Sequence, residues 1–106
     1  MRRGEVWWVE LAPPVGSRPV VILTRDEIVN SIGAVVVALV TRTQRGLLSE
    51  VPVGRVEGLP RPSVINLDNI LTVSKHRLLH LTGSLNKERM VELDRALQFA
   101  LGLRQS

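Results

Sequence analysis

Arginines and hydroxyl side chains gather at two places in this chain, Ser17-Arg18 and Thr41-Arg42-Thr43-Gln44-Arg45. A guanidinium forks two oxygens of a phosphate and stacks on a base, whereas a lysine ammonium does neither. RNA carries its own nucleophile in the 2′-hydroxyl. A protein that positions the phosphodiester and neutralises its charge can therefore cleave it without a covalent intermediate or a metal. The spacing by itself favours plainer duties, with Thr41 ending a strand and Arg18 pairing with a surface carboxylate. Other chemistries lack their residues. Gly16 and Gly46 stand alone and open no long helix, so no nucleotide-binding fingerprint is present. Carboxylates come singly or as the neighbours Asp26-Glu27. His76 and His80 lie four apart without a glutamate after the first, and Leu78-Leu79-His80-Leu81 alternates as a strand and not as the helix that would put both on one face; no metal site is expected. Neither Gly16-Ser17-Arg18 nor Gly83-Ser84-Leu85 supplies a nucleophile elbow.

The elements that must hold these residues are short. Glu5 to Leu11 is β-rich and stopped by Pro13-Pro14 and Gly16. Arg18 precedes Pro19, which forces it extended, and Val20-Val21-Ile22-Leu23 continues as a buried strand, so Arg18 sits at a strand mouth. Asp26 to Asn30 suits a short helical turn. Ala34 to Thr41 is rich in β-branched residues and reads as a central strand. Its polar end, Thr41 to Gly46, reads as a turn leading to an edge strand at Leu48 to Val53, so the two are expected to form a hairpin. Gly58, Pro60 and Pro62 mark an irregular loop. Ser63 to Asn66 and Leu67 to Val73 supply one bent strand or two short ones, and Leu78 to Leu81 another apolar segment. Met90, Leu93, Leu97, Ala100 and Leu101 recur at helical spacing, with Asn86 as cap, Leu85 and Met90 as a hydrophobic staple, and an end near Gly102. Five to seven short strands and one terminal helix describe a mainly β or α+β fold, a small curved antiparallel sheet or partial barrel.

Composition sets the outer limits. A chain of 106 residues, 44% hydrophobic and 23% charged, has room for one folded domain spanning 1–106, and no repeat or linker divides it. With no cysteine there is neither a disulfide framework nor a thiolate metal site, which favours the cytoplasm. The start, Met1-Arg2-Arg3-Gly4-Glu5, leads into no signal-peptide pattern, and the longest apolar run, Ala34 to Val40, falls far short of the roughly 20 residues of a membrane span. Net charge is +4, and twelve of the fourteen basic residues are arginine. That bias suits nucleic acid, although many ordinary basic domains share it. Aromatic stacking surfaces are scarce: only Trp7, Trp8 and Phe99, of which the tryptophans suit the core.

Taken in order, Arg3-Gly4-Glu5-Val6-Trp7-Trp8-Val9-Glu10-Leu11, Pro13, Gly16-Ser17 and Arg18-Pro19-Val20-Val21-Ile22-Leu23 resemble the opening of MazF/PemK family toxins. Ala38-Leu39-Val40-Thr41 is similar to the strand that ends in the family's threonine, and Pro62-Ser63-Val64-Ile65-Asn66-Leu67-Asp68-Asn69-Ile70 to its later sheet segment. The likeness covers nearly the whole chain. It implies an SH3-like barrel, a homodimer, and endoribonuclease cleavage of single-stranded RNA, chiefly messenger RNA, to a 2′,3′-cyclic phosphate and a 5′-hydroxyl with no cofactor. It implies catalytic roles for Arg18 and Thr41, with RNA contacts from Ser17, Arg42, Thr43, Gln44, Arg45 and Asn69. It also implies neutralisation by an acidic antitoxin, and promoter DNA binding only by the toxin–antitoxin complex. One departure is visible. Family members commonly continue Gly-Ser with an acidic residue and several more before Arg-Pro, whereas here Gly16-Ser17 runs straight into Arg18, so the recognised base sequence does not transfer from longer relatives. Two other classes share the architecture: gyrase-poisoning toxins, which rely on a tryptophan near the C-terminus where this chain ends Leu103-Arg104-Gln105-Ser106, and non-catalytic RNA-binding barrels.

Overall fold

A computed structural model describes residues 1–104. Six strands form one antiparallel sheet: β1 (Glu5–Glu10), β2 (Ser17–Ile22), β3 (Ala34–Thr41), β4 (Glu50–Val53), β5 (Ser63–Ser74) and β6 (Leu78–Ser84). The spatial order is β4-β5-β3-β2-β1-β6. One helical turn, α1 (Asp26–Val29), precedes β3, and a long helix, α2 (Lys87–Leu101), follows β6. The result is the curled half-barrel with a terminal helix that the strand count and closing periodicity predict.

The apolar runs Val20–Leu23 and Ala34–Val40 are continuous because both faces of the central strands are covered. Val21, Leu23, Ala38 and Val40 enter one core with Leu93 and Ala96 of α2, while Val20, Ile22, Val35 and Val37 enter a second on the opposite face with Val29 of α1. The alternation places successive residues in different cores. The helix begins where Asn86 Oδ1 accepts the Arg89 backbone N–H at 2.9 Å. It ends at Gly102 in the left-handed conformation, with the Leu103 N–H donating to the Gln98 carbonyl at 2.8 Å.

The expected hairpin of β3 with β4 does not form. Strand β5 lies between them, pairing with β3 along one edge and with β4 along the other. A strand has two hydrogen-bonding edges, and the stretch Val64 to Asn66 uses one for β3 and the other for β4, which the chain from Arg42 to Ser49 reaches by crossing over to the outer edge of β5. The Leu67 N–H donates to the Ser49 carbonyl at 2.9 Å on arrival. The two ends of the sheet are joined by the 3₁₀ turn Arg55–Glu57, which lies against β6; there the Thr82 hydroxyl donates to the Gly58 carbonyl at 3.0 Å.

Strand β5 carries the largest irregularity. Ala38 pairs with Ile70 but Leu39 pairs with Asn66, so Leu67, Asp68 and Asn69 bulge out with no counterpart on β3.

Candidate functional site

The β1–β2 hairpin sets Val9 against Arg18 and Glu10 against Ser17, and the Ser17 hydroxyl donates to Glu10 Oε2 at 3.0 Å. In the β2–β3 ladder Val20 faces Leu39 and Ile22 faces Val37. Continuing that register brings Arg18 alongside Thr41, where the two strands separate. The two residues arrive from distant parts of the sequence at one end of the central ladder.

Thr41 Oγ1 accepts the Thr43 backbone N–H at 3.2 Å, which turns the chain and leaves the threonine proton available to donate. The loop beyond is held by Glu50, whose Oε1 accepts the backbone N–H of Arg45 at 3.1 Å and of Leu47 at 3.2 Å. The carboxylate is thereby spent on backbone, and the arginine side chains remain on the surface. In the β5 bulge, Asn66 Oδ1 accepts the Asp68 N–H at 3.0 Å, and the buried Ser49 hydroxyl donates to Asp68 Oδ2.

Two adjoining cavities open here, of about 840 Å³ and about 150 Å³. Arg18, Thr41 and Thr43 line both. Ser17 and Arg42 line the larger, whereas Arg45 and Asn69 line the smaller. Gln44 is exposed and lines neither. The bulge accounts for Asn69, because it carries the residue out of the β3 ladder. Residues that sequence reasoning passed over complete the walls: Asn66 in the smaller cavity, and Trp8, Arg61 and Ser63 in the larger. Arg61 sat in a stretch legible only as an irregular Gly/Pro-rich loop. The expectation that both tryptophans serve the core holds for Trp7, which packs against the second core and donates its indole N–H to Glu5 at 3.0 Å. It fails for Trp8, which faces the larger cavity.

Neither cavity has a carboxylate or imidazole in its lining. Among the described residues no carboxylate lies within ion-pair distance of the Arg18, Arg42, Arg45 or Arg61 side chains; the ion pairs present involve Arg3 and Arg89. Four uncompensated guanidiniums around hydroxyls make a receptor for a polyanion. The two histidines are apart in role, His76 sharing a 2.8 Å hydrogen bond with Ser74 and His80 stacking on Trp8. Among the described residues no three His, Asp or Glu side chains are grouped to hold a metal ion.

Residues 2–101 match the family model of the PemK-like, MazF-like toxins of type II toxin–antitoxin systems. The chain belongs to that family. The MazF2 protein of Mycobacterium tuberculosis, described as a probable endoribonuclease, is 43% identical over 96% of this chain and 99% of its own length. The endoribonuclease EndoA of Bacillus subtilis is 36% identical over 97% of this chain and 96% of its own. Among solved structures, the M. tuberculosis toxin MazF-mt6 superposes with a TM-score of 0.89 at 36% identity, covering 95% of this chain and 99% of that one. A mycobacterial endoribonuclease solved in complex with its cognate antitoxin matches equally well, at 0.89 and 28% identity, over 100% and 99% of the two chains. In this MazF-like toxin the β1–β2 connection is only the six residues from Leu11 to Gly16.

Proposed function

We infer that this MazF-like toxin is an endoribonuclease that cleaves single-stranded RNA, messenger RNA above all, at a preferred base sequence and without a metal ion. The observation that carries the reading is the meeting of Arg18 and Thr41 at the open end of the β2–β3 ladder, in two cavities walled by uncompensated guanidiniums. In the reaction the 2′-oxygen attacks the adjacent phosphorus as its proton passes to solvent water, and the bond from phosphorus to the 5′-oxygen breaks. The leaving oxygen takes up a proton, and the products are a 2′,3′-cyclic phosphate and a 5′-hydroxyl. Charge concentrates on the non-bridging oxygens in the transition state. A planar guanidinium fixed at the strand mouth binds that state better than the ground state. Arg18 supplies this charge and passes a proton to the 5′-oxygen, while the Thr41 hydroxyl aligns the phosphate with the 2′-hydroxyl. Arg42, Thr43, Arg45, Ser17 and Asn69 hold the strand on either side, with Gln44 on the loop crest.

The protein works in the cytoplasm as a homodimer restrained by an acidic antitoxin, and promoter DNA is bound only by the toxin–antitoxin complex. The dimer is supported by large exposed apolar side chains, Leu48 at 73% and Phe99 at 56%, beside a groove between β4 and α2. The antitoxin is supported by the net charge of +4 and by the uncompensated cavity, since an acidic flexible segment reproduces the electrostatics of RNA. No helix among the described residues is long and apolar enough to cross a membrane.

Purified protein incubated with RNA in EDTA, with the new ends mapped, tests the reading. Cyclic-phosphate and 5′-hydroxyl ends at a recurrent sequence are expected. Intact RNA together with inhibited DNA gyrase would replace the nuclease by the gyrase-binding class; bound but uncut RNA would replace it by a binding barrel.

A further inference from the structure

Trp8 is out of place for a structural residue. Its neighbour Trp7 packs against the second core, but Trp8 belongs to neither core and forms part of the wall of the larger cavity, beside Arg18, Pro19 and Arg61. Among the described residues the Trp7 indole N–H has a partner in Glu5, and the Trp8 indole N–H has none. On the cavity side of β1, Trp8 is paired across the ladder with Pro19 of β2, and on the other side with His80 of β6. The Trp8 and His80 rings stack, with centroids 6.3 Å apart and planes inclined by 24°. His80 is itself exposed on the edge strand. A row of three rings, Pro19, Trp8 and His80, thus leads from the arginine-lined cavity across three strands to the edge of the sheet.

An aromatic face within the same cavity as unpaired guanidiniums matches the two halves of a nucleotide, base and phosphate. The geometry points to Trp8 as the platform on which the base next to the scissile phosphate stacks, with His80 as a positioning residue that holds the indole at its angle. The inference rests on the endoribonuclease reading and adds to it a subsite that fixes which nucleotide is presented to Arg18. Every base has a π-face, so the platform gives register along the strand, and the free indole N–H adds a donor toward the base edge.

The test uses a short RNA spanning the mapped cleavage site, made uncleavable by a 2′-deoxy sugar at the reacting position, and a series in which an abasic site is moved one position at a time. Stacking of this kind is worth about 5- to 150-fold in affinity. Wild-type protein is expected to lose about that factor at one position next to the cleaved bond. Trp8→Ala is expected to bind the intact RNA more weakly and to be indifferent to the same abasic site, while Trp8→Phe restores most of the difference. In a Trp7→Phe background, where Trp8 is the only tryptophan, the intact RNA is expected to quench fluorescence and the abasic RNA at that position to quench much less. His80→Ala is expected to weaken binding and quenching together, and His80→Phe to restore both. Trp8→Ala that is folded and still discriminates the abasic site overturns the platform while leaving the nuclease standing; so does an unquenched Trp8 in complex with bound RNA, should Trp8→Ala not fold. His80→Ala with unchanged quenching removes the positioning role. A wild-type protein that neither binds nor cuts RNA overturns both readings.

Discussion

Gly58 and Gly83 cross so closely that neither has room for a side chain. A Cβ on Gly58 would fall on the Thr82 carbonyl, and one on Gly83 on the Glu57 carbonyl. Gly58 also lies in the left-handed region at φ 88°. This contact is where the turn after β4 meets β6, so the closure of the half-barrel depends on two missing methyl groups.

Gly58→Ala and Gly83→Ala are therefore each expected to destabilise the fold by about 2–4 kcal/mol, from backbone overlap and, at Gly58, from strain as well. Gly16→Ala is the control. Gly16 has φ 69° but open space around its Cβ position, so only the conformational cost of about 1–2 kcal/mol applies. Urea denaturation of the three variants measures the difference, and equal losses would show that closure at Gly58 and Gly83 contributes nothing special.

Removal of the Arg18 guanidinium is expected to slow single-turnover cleavage by about 100- to 1,000-fold at saturating protein. Arg18→Lys is expected to bind RNA nearly as well as the parent yet cut far more slowly, because its charge survives and its fork does not. Thr41→Ala is expected to show a smaller loss of the same kind. Near-parental cleavage by folded Arg18→Ala would refute the assignment.

Arg45→Ala and Arg61→Ala are expected to act on binding instead. Each removes a side chain with no carboxylate partner among the described residues, so affinity falls most at low salt and the slope of log K against log salt drops by about one. Titrations at four or more salt concentrations give the slope directly. An unchanged slope means that the side chain does not meet a phosphate.

At the helix, Asn86→Ala is expected to cost about 1 kcal/mol through loss of the cap on the Arg89 N–H, and Leu93→Ala about 2–5 kcal/mol through the cavity left in the first core. Thermal or urea melts check both, and a larger loss for Asn86→Ala than for Leu93→Ala would contradict the packing described.

Features set by near neighbours were readable from the chain. Asn86 and Gly102 bracket α2 because caps act within one turn, and the arginine before Pro19 lands at a strand mouth because proline restricts the residue before it. Arg18 and Thr41 stood out through the family resemblance and not through their spacing, and the β2–β3 register that brings them together appears only in the folded sheet. The insertion of β5 between β3 and β4 could not be read, since strand order is a choice among distant partners that leaves little trace in local pattern. Trp7 and Trp8 differ for a related reason. Adjacent residues on a strand face opposite ways, and which way is inward depends on what the sheet curls around. Arg61 escaped notice because the loop that carries it is positioned by the distant contact of Gly58 with Gly83, and not by its own residues.

The three-residue bulge in β5 has a bearing on how such a molecule can diversify. On the α1 side of the bulge the paired positions follow one alternation, and beyond it, from Leu39 and Asn66 to Thr41 and Val64, they follow the opposite one, because three is an odd number. The bulge works as a phase slip. The stretch that frames the cavities need not keep step with the stretch that meets the second core, so replacements at Asn66 or Asn69 can retune what the cavity accepts without shifting Val73 from the second core or Leu71 from its place against it. One strand thereby answers to the second core on one side of the slip and to the cavities on the other.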